Sequence, residues 1–242
     1  MGRSGSTLLD LIISSHSQVT SLGEIHLLSP WRRKSPQTIL EHRCTCGAKP
    51  ILDCLFWQEV EHCSGISLQE LDMDSKDPVI FKQHNQAIFQ AAATVSGSKF
   101  IIDSSKDIGR LEKLVAIKDF NIIPIHLVRP PGGVVYSNIK SGNNWLTVTR
   151  LYTHNFMHTR RFLENRHSFT IHYEELASTP QQTLARLMKW LELSFEETQL
   201  NWKSAPHHNI FGNNMRFSED SQIKLDNEWE KKLSWIQKIT IA

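Results

Sequence analysis

Short apolar runs alternate with longer amphipathic stretches along most of the chain, and this alternation predicts strands separated by helices. The runs typical of buried strands are residues 99–103, 122–128 and 168–172, with a shorter candidate at 18–21. Helices are predicted directly after residue 7, over 78–95, 111–118, 145–164 and 180–193, from about residue 134, and in the tail around Trp229, Leu233 and Ile236. The pattern favours an α/β fold in which helices cover both faces of a parallel sheet.

Length and composition fit one globular domain. At 242 residues, with 40% hydrophobic and 21% charged residues, the chain is long enough to bury a continuous core. No repeat or linker divides it, so we expect a single domain over residues 1–242, with irregular structure at 30–77. The net charge of +2 gives no reason to expect nucleic-acid binding, and no apolar run approaches the roughly 20 residues of a membrane span. Because no signal peptide is recognisable either, the sequence predicts a cytoplasmic protein.

Small residues crowd the start of the chain, where residues 2–7 read Gly-Arg-Ser-Gly-Ser-Thr and run into an apolar helix. The first N–H groups of a helix have no partner inside it, and together with the helix dipole they form a cradle for an anion. Ser4, Ser6 and Thr7 add hydroxyl donors, and Gly5 allows close approach of the backbone. The pattern is that of a phosphate loop without its usual lysine. A turn that merely caps the helix is the alternative.

The position of this loop is unusual. A phosphate loop normally follows a buried strand, but only Met1 precedes this one. Removing a central strand from a parallel sheet would leave the ladder groups of its neighbours unpaired. We therefore expect that the start of the chain is truncated and that the first central strand is missing.

Cationic residues follow two of the predicted strands. Lys106 comes shortly after the strand at 99–103, and Arg129 comes directly after the strand at 122–128. Ligands of open parallel sheets bind at the carboxyl ends of the strands. Ser137 falls in the first turns of the next helix, so Arg129 and Ser137 predict a second anion site. Taken singly, Arg129 is more typical of a surface ion pair and Ser137 of an ordinary helix position, and only together with the loop do they favour an anion site.

In combination, these motifs resemble those of the sulfotransferases that use 3′-phosphoadenosine 5′-phosphosulfate (PAPS), especially the bacterial branch related to protein-tyrosine sulfotransferases. Residues 2–9 resemble the family's 5′-phosphosulfate loop, and residues 126–137 resemble its 3′-phosphate motif. The segment 173–180 and the loop 212–216 resemble later segments of the family, in the expected order. The resemblance implies a P-loop-type three-layer sandwich, with a central parallel sheet flanked by helices.

The resemblance also implies roles for individual residues. Those expected to bind the nucleotide are Arg3, Ser4, Gly5, Ser6, Thr7, Arg129, Ser137, Tyr173 and Arg216. Glu24 falls where the tyrosine-sulfating relatives keep their general base. Lys106 falls where they keep a lysine that stabilises the transferring group, and Arg3 is expected to assist Lys106. The implied reaction is in-line transfer of the sulfuryl group from PAPS to an acceptor hydroxyl, with no metal required.

Two positions depart from the family pattern. Pro130 stands where relatives usually have Asp, and His26 stands where the tyrosine-sulfating relatives have Arg. A peptide tyrosine is therefore not specifically indicated as the acceptor. The resemblance assigns acceptor recognition to a Cys-containing insertion at 25–77 and to residues 141–160, and leaves a sugar, a lipid, a peptide or a small alcohol open.

Two other functions remain as alternatives. Residues 100–104 imitate the magnesium-binding strand end of a P-loop kinase, although the missing loop lysine and the second anion site count against a kinase. A nucleotide-binding remnant without catalysis is the other alternative, suggested by the missing first strand.

The four cysteines raise the question of a metal. Cys44, Cys46, Cys54 and Cys63 could bind zinc, but their spacing is not the paired Cys-x-x-Cys pattern. The twelve histidines show no ligand spacing. The sequence therefore favours structural or free thiols and predicts no metal site.

Overall fold

The computed structural model describes residues 4–32, 41–218 and 222–241. The chain forms two compact units, each assembled from segments that are distant in sequence. Unit 1 comprises Met1–Ser6, Lys106–Phe195 and Gln222–Ala242, and unit 2 comprises Thr7–Ser105 and Glu196–Ser221. The single domain expected from the sequence remains a prediction.

Unit 2 contains a pair of short parallel strands and the helix that follows the phosphate loop, except for the first residue of that helix, Ser6. Its helices and strands are, in chain order, α1 (Ser6–Ile13), β1 (Val19–Ser21), α2 (Leu55–Ser64), α3 (Pro78–Ser96) and β2 (Phe100–Ile102). Strands β1 and β2 pair in parallel, with Val19 opposite Phe100. Asp77 accepts hydrogen bonds from the N–H groups of Val79 and Ile80, which is why α3 begins at the proline that follows it.

The segment at 30–77 carries much of the core of unit 2, so the prediction of irregular structure there is wrong at α2. Phe56, Trp57 and Val60 on this helix are buried, in a core that also includes Leu28 and Leu71. Helix α2 spans only ten residues, and the prolines and cysteines before it obscure its apolar spacing in the sequence. The described part of this segment is therefore packed into the fold.

Unit 1 contains the second pair of strands and most of the helices. Its elements are α4 (Ile108–Val115), β3 (Ile125–Val128), α5 (Pro131–Ile139), α6 (Trp145–Leu163), β4 (Phe169–His172), α7 (Tyr173–Ser178), α8 (Pro180–Trp190), α9 (Trp229–Lys232) and α10 (Trp235–Ile241). Strands β3 and β4 are parallel, with Ile125 opposite Phe169 and Val128 opposite His172. Short parallel pairs accompanied by helices confirm the predicted mixed α/β class.

Several helices of unit 1 differ from those expected, and α4 begins at Ile108 rather than at residue 111 because the Asp107 side chain caps it by accepting from the N–H of Arg110. Helix α5 begins at Pro131 rather than near Val134, because a proline is well suited to the first helical position, where its missing N–H is not needed. The tail forms two short helices instead of one. The N–H of Ser234 donates to the Gln237 side chain, and the N–H of Gln237 donates to the Ser234 hydroxyl, so a reciprocal cap starts α10 anew. Of the described helices, none is both long and apolar enough to cross a bilayer.

Candidate functional site

The described part of the phosphate loop begins at Ser4, and Arg3 lies outside the described residues. Gly5 has a φ of +91°, and a Cβ built there would lie 2.8 Å from Cδ2 of Tyr173. Both the backbone conformation and the close approach therefore require glycine at this position. Ser4 and Ser6 are half-buried on either side of it.

The ring of Tyr173 contacts two of the predicted nucleotide-binding elements. One edge of it lies against Gly5, and the guanidinium carbon of Arg129 lies 4.4 Å from its centroid. The phenol hydroxyl donates to the carbonyl of Lys224 and accepts from the N–H of Asp226, both at 3.2 Å. We call Gly5, Arg129, Tyr173 and Asp226 the Arg129 site. All four residues belong to unit 1.

Arg129 is 7% exposed, and its charge is balanced by an acid that the sequence did not indicate. Its Nη2 donates to the Asp226 carboxylate at 3.0 Å and to the Asp226 carbonyl at 3.2 Å. Gly133 is needed beside it, because a Cβ there would lie 2.7 Å from Nε of Arg129. The arginine thus lies against the first turn of α5, where N–H groups and helix dipole favour an anion. Ser137 is half-buried further along the same helix, and its contact with a ligand remains a prediction.

Lys106 occupies a strained position between β2 and α4. Its φ is +58°, a left-handed conformation that is uncommon for residues other than glycine. Such strain costs on the order of 1–3 kcal/mol and is concentrated at functional sites. The side chain is half-buried. Its predicted role at the transferring group is compatible with this conformation and remains a prediction.

In unit 2, Glu24 and Thr7 flank one glycine of the C-terminal loop. A Cβ at Gly212 would lie 3.4 Å from Oε1 of Glu24 and 3.4 Å from Oγ1 of Thr7. The N–H of Asn213 donates to the Thr7 hydroxyl at 3.2 Å. We call Thr7, Glu24 and Gly212 the Glu24 site. A half-buried carboxylate beside a hydroxyl of the phosphate loop can accept a proton from a ligand bound there.

Backbone pairing holds Glu24 in place. The N–H of Glu24 donates to the carbonyl of Ile210 at 3.0 Å, and the N–H of Ile210 donates to the carbonyl of Leu22 at 3.1 Å. Gly23, with a φ of +80°, lies so close to the Ile210 backbone that a side chain would overlap it. Pairing with Ile210 therefore fixes the turn that carries Glu24.

Asp10 is a site-supporting residue that the sequence reasoning missed. It is 5% exposed on α1, and its carboxylate accepts hydrogen bonds from Ser21, Ser104 and Asn209, at 2.5, 3.0 and 2.8 Å. These bonds join α1 to the ends of both strands of unit 2 and to the loop before Gly212. A carboxylate inside the otherwise apolar run of α1 was the signal that could have revealed it.

Arg216 is buried in unit 2, and its described hydrogen bonds go to the protein itself. It is 8% exposed and donates to the carbonyls of Asn209 at 2.9 Å and Arg43 at 3.1 Å, and to the Thr45 hydroxyl at 3.4 Å. Burial lowers the pKa of Arg216 below its usual value. These contacts brace the loop 209–216, and the expected contact of Arg216 with the nucleotide remains a prediction.

Three of the four cysteines lie together. Cys44, Cys46 and Cys54 surround a ring nitrogen of His208, whereas Cys63 is exposed on α2 outside this group. All four are free thiols. The hydrogen bond with the Cys44 thiol, helped by that with His208, lowers the pKa of Cys54 to about 4. The sequence did not indicate His208, because it is 154 residues from Cys54.

Comparisons with known proteins agree with the fold and the motifs. Residues 1–197 match the model of the sulfotransferase family. The sulfotransferase domain from the curacin biosynthetic pathway is similar in structure, with a TM-score of 0.55 and 21% identity over 91% of this chain and 76% of that one. The sulfotransferase domain of the Synechococcus PCC 7002 olefin synthase has a TM-score of 0.57 and 18% identity over 99% of this chain and 89% of that one. The search of curated protein sequences gave no significant match. Because the family match extends over most of its length, this chain belongs to the sulfotransferase family.

Proposed function

We propose that this transferase moves the sulfuryl group of PAPS to a hydroxyl group of an acceptor. The observation that carries the proposal is the contact of one aromatic ring, that of Tyr173, with both Gly5 and Arg129. Gly5 belongs to the loop expected at the 5′-phosphosulfate, and Arg129 to the motif expected at the 3′-phosphate. A ligand with two anionic ends could engage both elements because a single side chain separates them.

The residues around the Arg129 site fit such a nucleotide. Gly5 and Gly133 let the Tyr173 ring and the Arg129 side chain pack closely against the loop and against the start of α5, because a Cβ at either position would collide with them. The guanidinium of Arg129 already binds an oxygen anion, the carboxylate of Asp226. In our proposal Ser4, Gly5, Ser6 and Thr7 hold the 5′ end, and Arg129 and Ser137 hold the 3′-phosphate. Arg3 and Tyr173 remain predicted nucleotide ligands, whereas the hydrogen bonds of Arg216 to the protein favour a bracing role over the nucleotide contact that the resemblance implies.

PAPS supplies an activated sulfuryl group, whose bond to the 5′-phosphate oxygen breaks as the bond from sulfur to the acceptor oxygen forms. Glu24 is the proposed general base and receives the proton of the acceptor hydroxyl on its carboxylate. Lys106, assisted by Arg3 and the N–H groups of the loop, stabilises the negative charge that grows on the leaving oxygen. This step as proposed requires no metal ion.

Titration calorimetry tests which nucleotide the protein binds as its donor. We expect adenosine 3′,5′-bisphosphate to bind and ATP–Mg²⁺ to bind far more weakly, because ATP has no 3′-phosphate to pair with Arg129. Tight binding of ATP–Mg²⁺ without a response to the bisphosphate would overturn the proposal in favour of a P-loop kinase.

Incubation with ³⁵S-labelled PAPS tests the transfer itself. Pools of sugars, lipid head groups, tyrosine peptides and small alcohols should include at least one class that becomes labelled. Bisphosphate binding without label transfer to any pool would instead support a nucleotide-binding remnant.

A further inference from the structure

Three cysteine sulfurs and one imidazole nitrogen lie close together in unit 2. The ligand atoms of Cys44, Cys46, Cys54 and His208, here called the thiol cluster, all lie within 4.8 Å of one another. The Cys46 and Cys54 sulfurs are 3.6 Å apart, and the Cys54 sulfur is 3.3 Å from Nδ1 of His208. In a tetrahedral zinc site with Zn–S bonds of about 2.3 Å, neighbouring sulfurs lie about 3.8 Å apart. The two contacts of the Cys54 sulfur therefore match the spacing of zinc ligands, and the other ligand atoms lie near enough to join the same ion.

We propose that the thiol cluster binds one Zn²⁺ ion as a structural site. Three soft sulfur ligands and one imidazole in a tetrahedral arrangement select zinc over magnesium or calcium, which prefer oxygen. Four protein ligands also complete the coordination shell, so the ion has no open position for a substrate. The site takes no part in the proposed transfer chemistry. The cysteine spacing predicted no metal site, so the proposal differs from that prediction.

The backbone around Cys44 and Cys46 is shaped as a ligand-bearing turn. The N–H of Cys44 donates to the carbonyl of Ala48 at 2.9 Å, and the N–H of Gly47 donates to the carbonyl of Cys44 at 3.0 Å. Gly47 has a φ of +105°, which only glycine adopts readily. The turn therefore holds Cys44 and Cys46 in one tight bend of the chain.

Helix α2 positions the other two ligands. Cys54 directly precedes its first residue and is buried. The ring of Phe56 stacks on the His208 imidazole with a centroid distance of 4.8 Å and an interplanar angle of 14°. The indole N–H of Trp57 donates to the His208 carbonyl at 2.7 Å. Contacts of this kind orient metal ligands before the ion binds.

The metal would fasten the loop that carries Gly212 of the Glu24 site. Arg216 donates to the carbonyls of Arg43 and Asn209, which are the chain neighbours of Cys44 and His208. An ion bound to Cys44 and His208 would therefore hold the two segments on which Arg216 rests. Loss of the ion should lower thermal stability first and affect the Glu24 site as a consequence.

Metal analysis of the full chain, produced in zinc-supplemented medium, tests the proposal. We expect about one zinc ion per chain in the wild type and in the Cys63→Ser control, whose exposed thiol lies outside the cluster. Cys46→Ser should lose most of the zinc, and because Cys46 is exposed this variant should still fold. Cobalt should replace zinc in the wild type and give the visible absorption of a tetrahedral thiolate complex, a result that does not depend on any variant. Removing the ion with a chelator should lower the melting temperature by on the order of 10 °C.

Three outcomes would overturn the proposal. One is a wild type with fewer than about one zinc ion per ten chains and no cobalt spectrum. Another is equal zinc in the wild type and in a folded Cys46→Ser variant. The third is a thiol titration of the denatured wild type, without reductant, that finds two thiols fewer than the four of the sequence, because the Cys46 and Cys54 sulfurs would then form a disulfide.

Discussion

Arg129 in unit 1 and Arg216 in unit 2 share one predicted role but have different surroundings. Both are almost fully buried, at 7% and 8% exposure. Arg129 bonds to the carboxylate of Asp226, a side chain that is 37% exposed, and lies over the ring of Tyr173. The described hydrogen bonds of Arg216 go instead to two backbone carbonyls and a threonine hydroxyl. Arg129 is therefore paired with a solvent-accessible anion, whereas Arg216 is bonded to neutral groups of the fold.

This difference separates a ligand site from a structural brace. A phosphate can take the place of the Asp226 carboxylate, because both are oxygen anions and the aspartate can turn toward solvent. The carbonyls on Arg216 belong to the chain and cannot leave without unfolding the loop 209–216. Motif resemblance assigned both arginines to the nucleotide, whereas their partners favour ligand exchange at Arg129 alone.

The largest effect should come from Glu24, beside the loop that Arg216 braces. We expect Glu24→Gln to lower turnover by about 10²- to 10⁴-fold, because an amide cannot accept the acceptor proton. Bisphosphate affinity, which we assign to other residues, should change little in calorimetry. The exposed Glu70→Gln in the same unit is the matched control and should retain full turnover. Unchanged turnover in Glu24→Gln would remove Glu24 from the role of base.

The next largest effect tests Arg129 as the ligand-binding member of the pair. Arg129→Met removes charge-assisted hydrogen bonds worth about 1.5–3 kcal/mol, so bisphosphate should bind roughly 10- to 100-fold more weakly. The melting temperature should fall only slightly, because the Asp226 carboxylate left behind can be hydrated. Arg161→Met, an exposed arginine on α6, should bind like the wild type. If Arg129→Met binds normally, the proposed 3′-phosphate site is wrong.

Arg216→Met should act on stability instead. Removing this buried guanidinium breaks its three described hydrogen bonds, to the carbonyls of Arg43 and Asn209 and to the Thr45 hydroxyl, which costs on the order of 2–4 kcal/mol. In a chain of this size we expect a melting temperature roughly 5–10 °C lower by calorimetry. Bisphosphate affinity, measured well below the transition, should stay within about threefold of the wild type. A normal melting temperature with lost affinity would restore Arg216 to the nucleotide and remove the distinction between the two arginines.

Much of the fold could be predicted because it depends on local patterns. The apolar runs located the four strands of the described residues, and Pro78 with the apolar spacing that follows it located α3. Errors arose where a local signal was ambiguous. Pro131 and the glycines after it indicated a turn but occupy the first turn of α5, and α2 is short and follows a Cys- and Pro-rich stretch. Such elements are decided by tertiary packing, which local periodicity does not report.

The site was predictable only in part, for the same reason. The loop residues, Glu24 and Arg129 were indicated by motifs along the chain. Their partners were not, because Asp226 is 97 residues from Arg129 and carries no motif of its own. His208 also carries no motif, and only the fold brings it to the three cysteines. The spacing between the cysteines alone therefore gave too little weight to a zinc site.

The smallest expected effect tests whether Asp226 competes with the nucleotide. Asp226→Asn removes the anion on Arg129 while keeping a side chain of similar shape, and a half-exposed ion pair of this kind is worth up to about 1 kcal/mol. Bisphosphate should therefore bind up to about fivefold more tightly, and the gain should shrink as salt rises, because salt screens the competing charge in the wild type. Glu228→Gln, an exposed acid in the same segment that pairs with Lys140, serves as the control and should change little. Weaker binding in Asp226→Asn would mean that the carboxylate orients the guanidinium for its ligand, and Arg129 would then resemble Arg216 in depending on fixed partners.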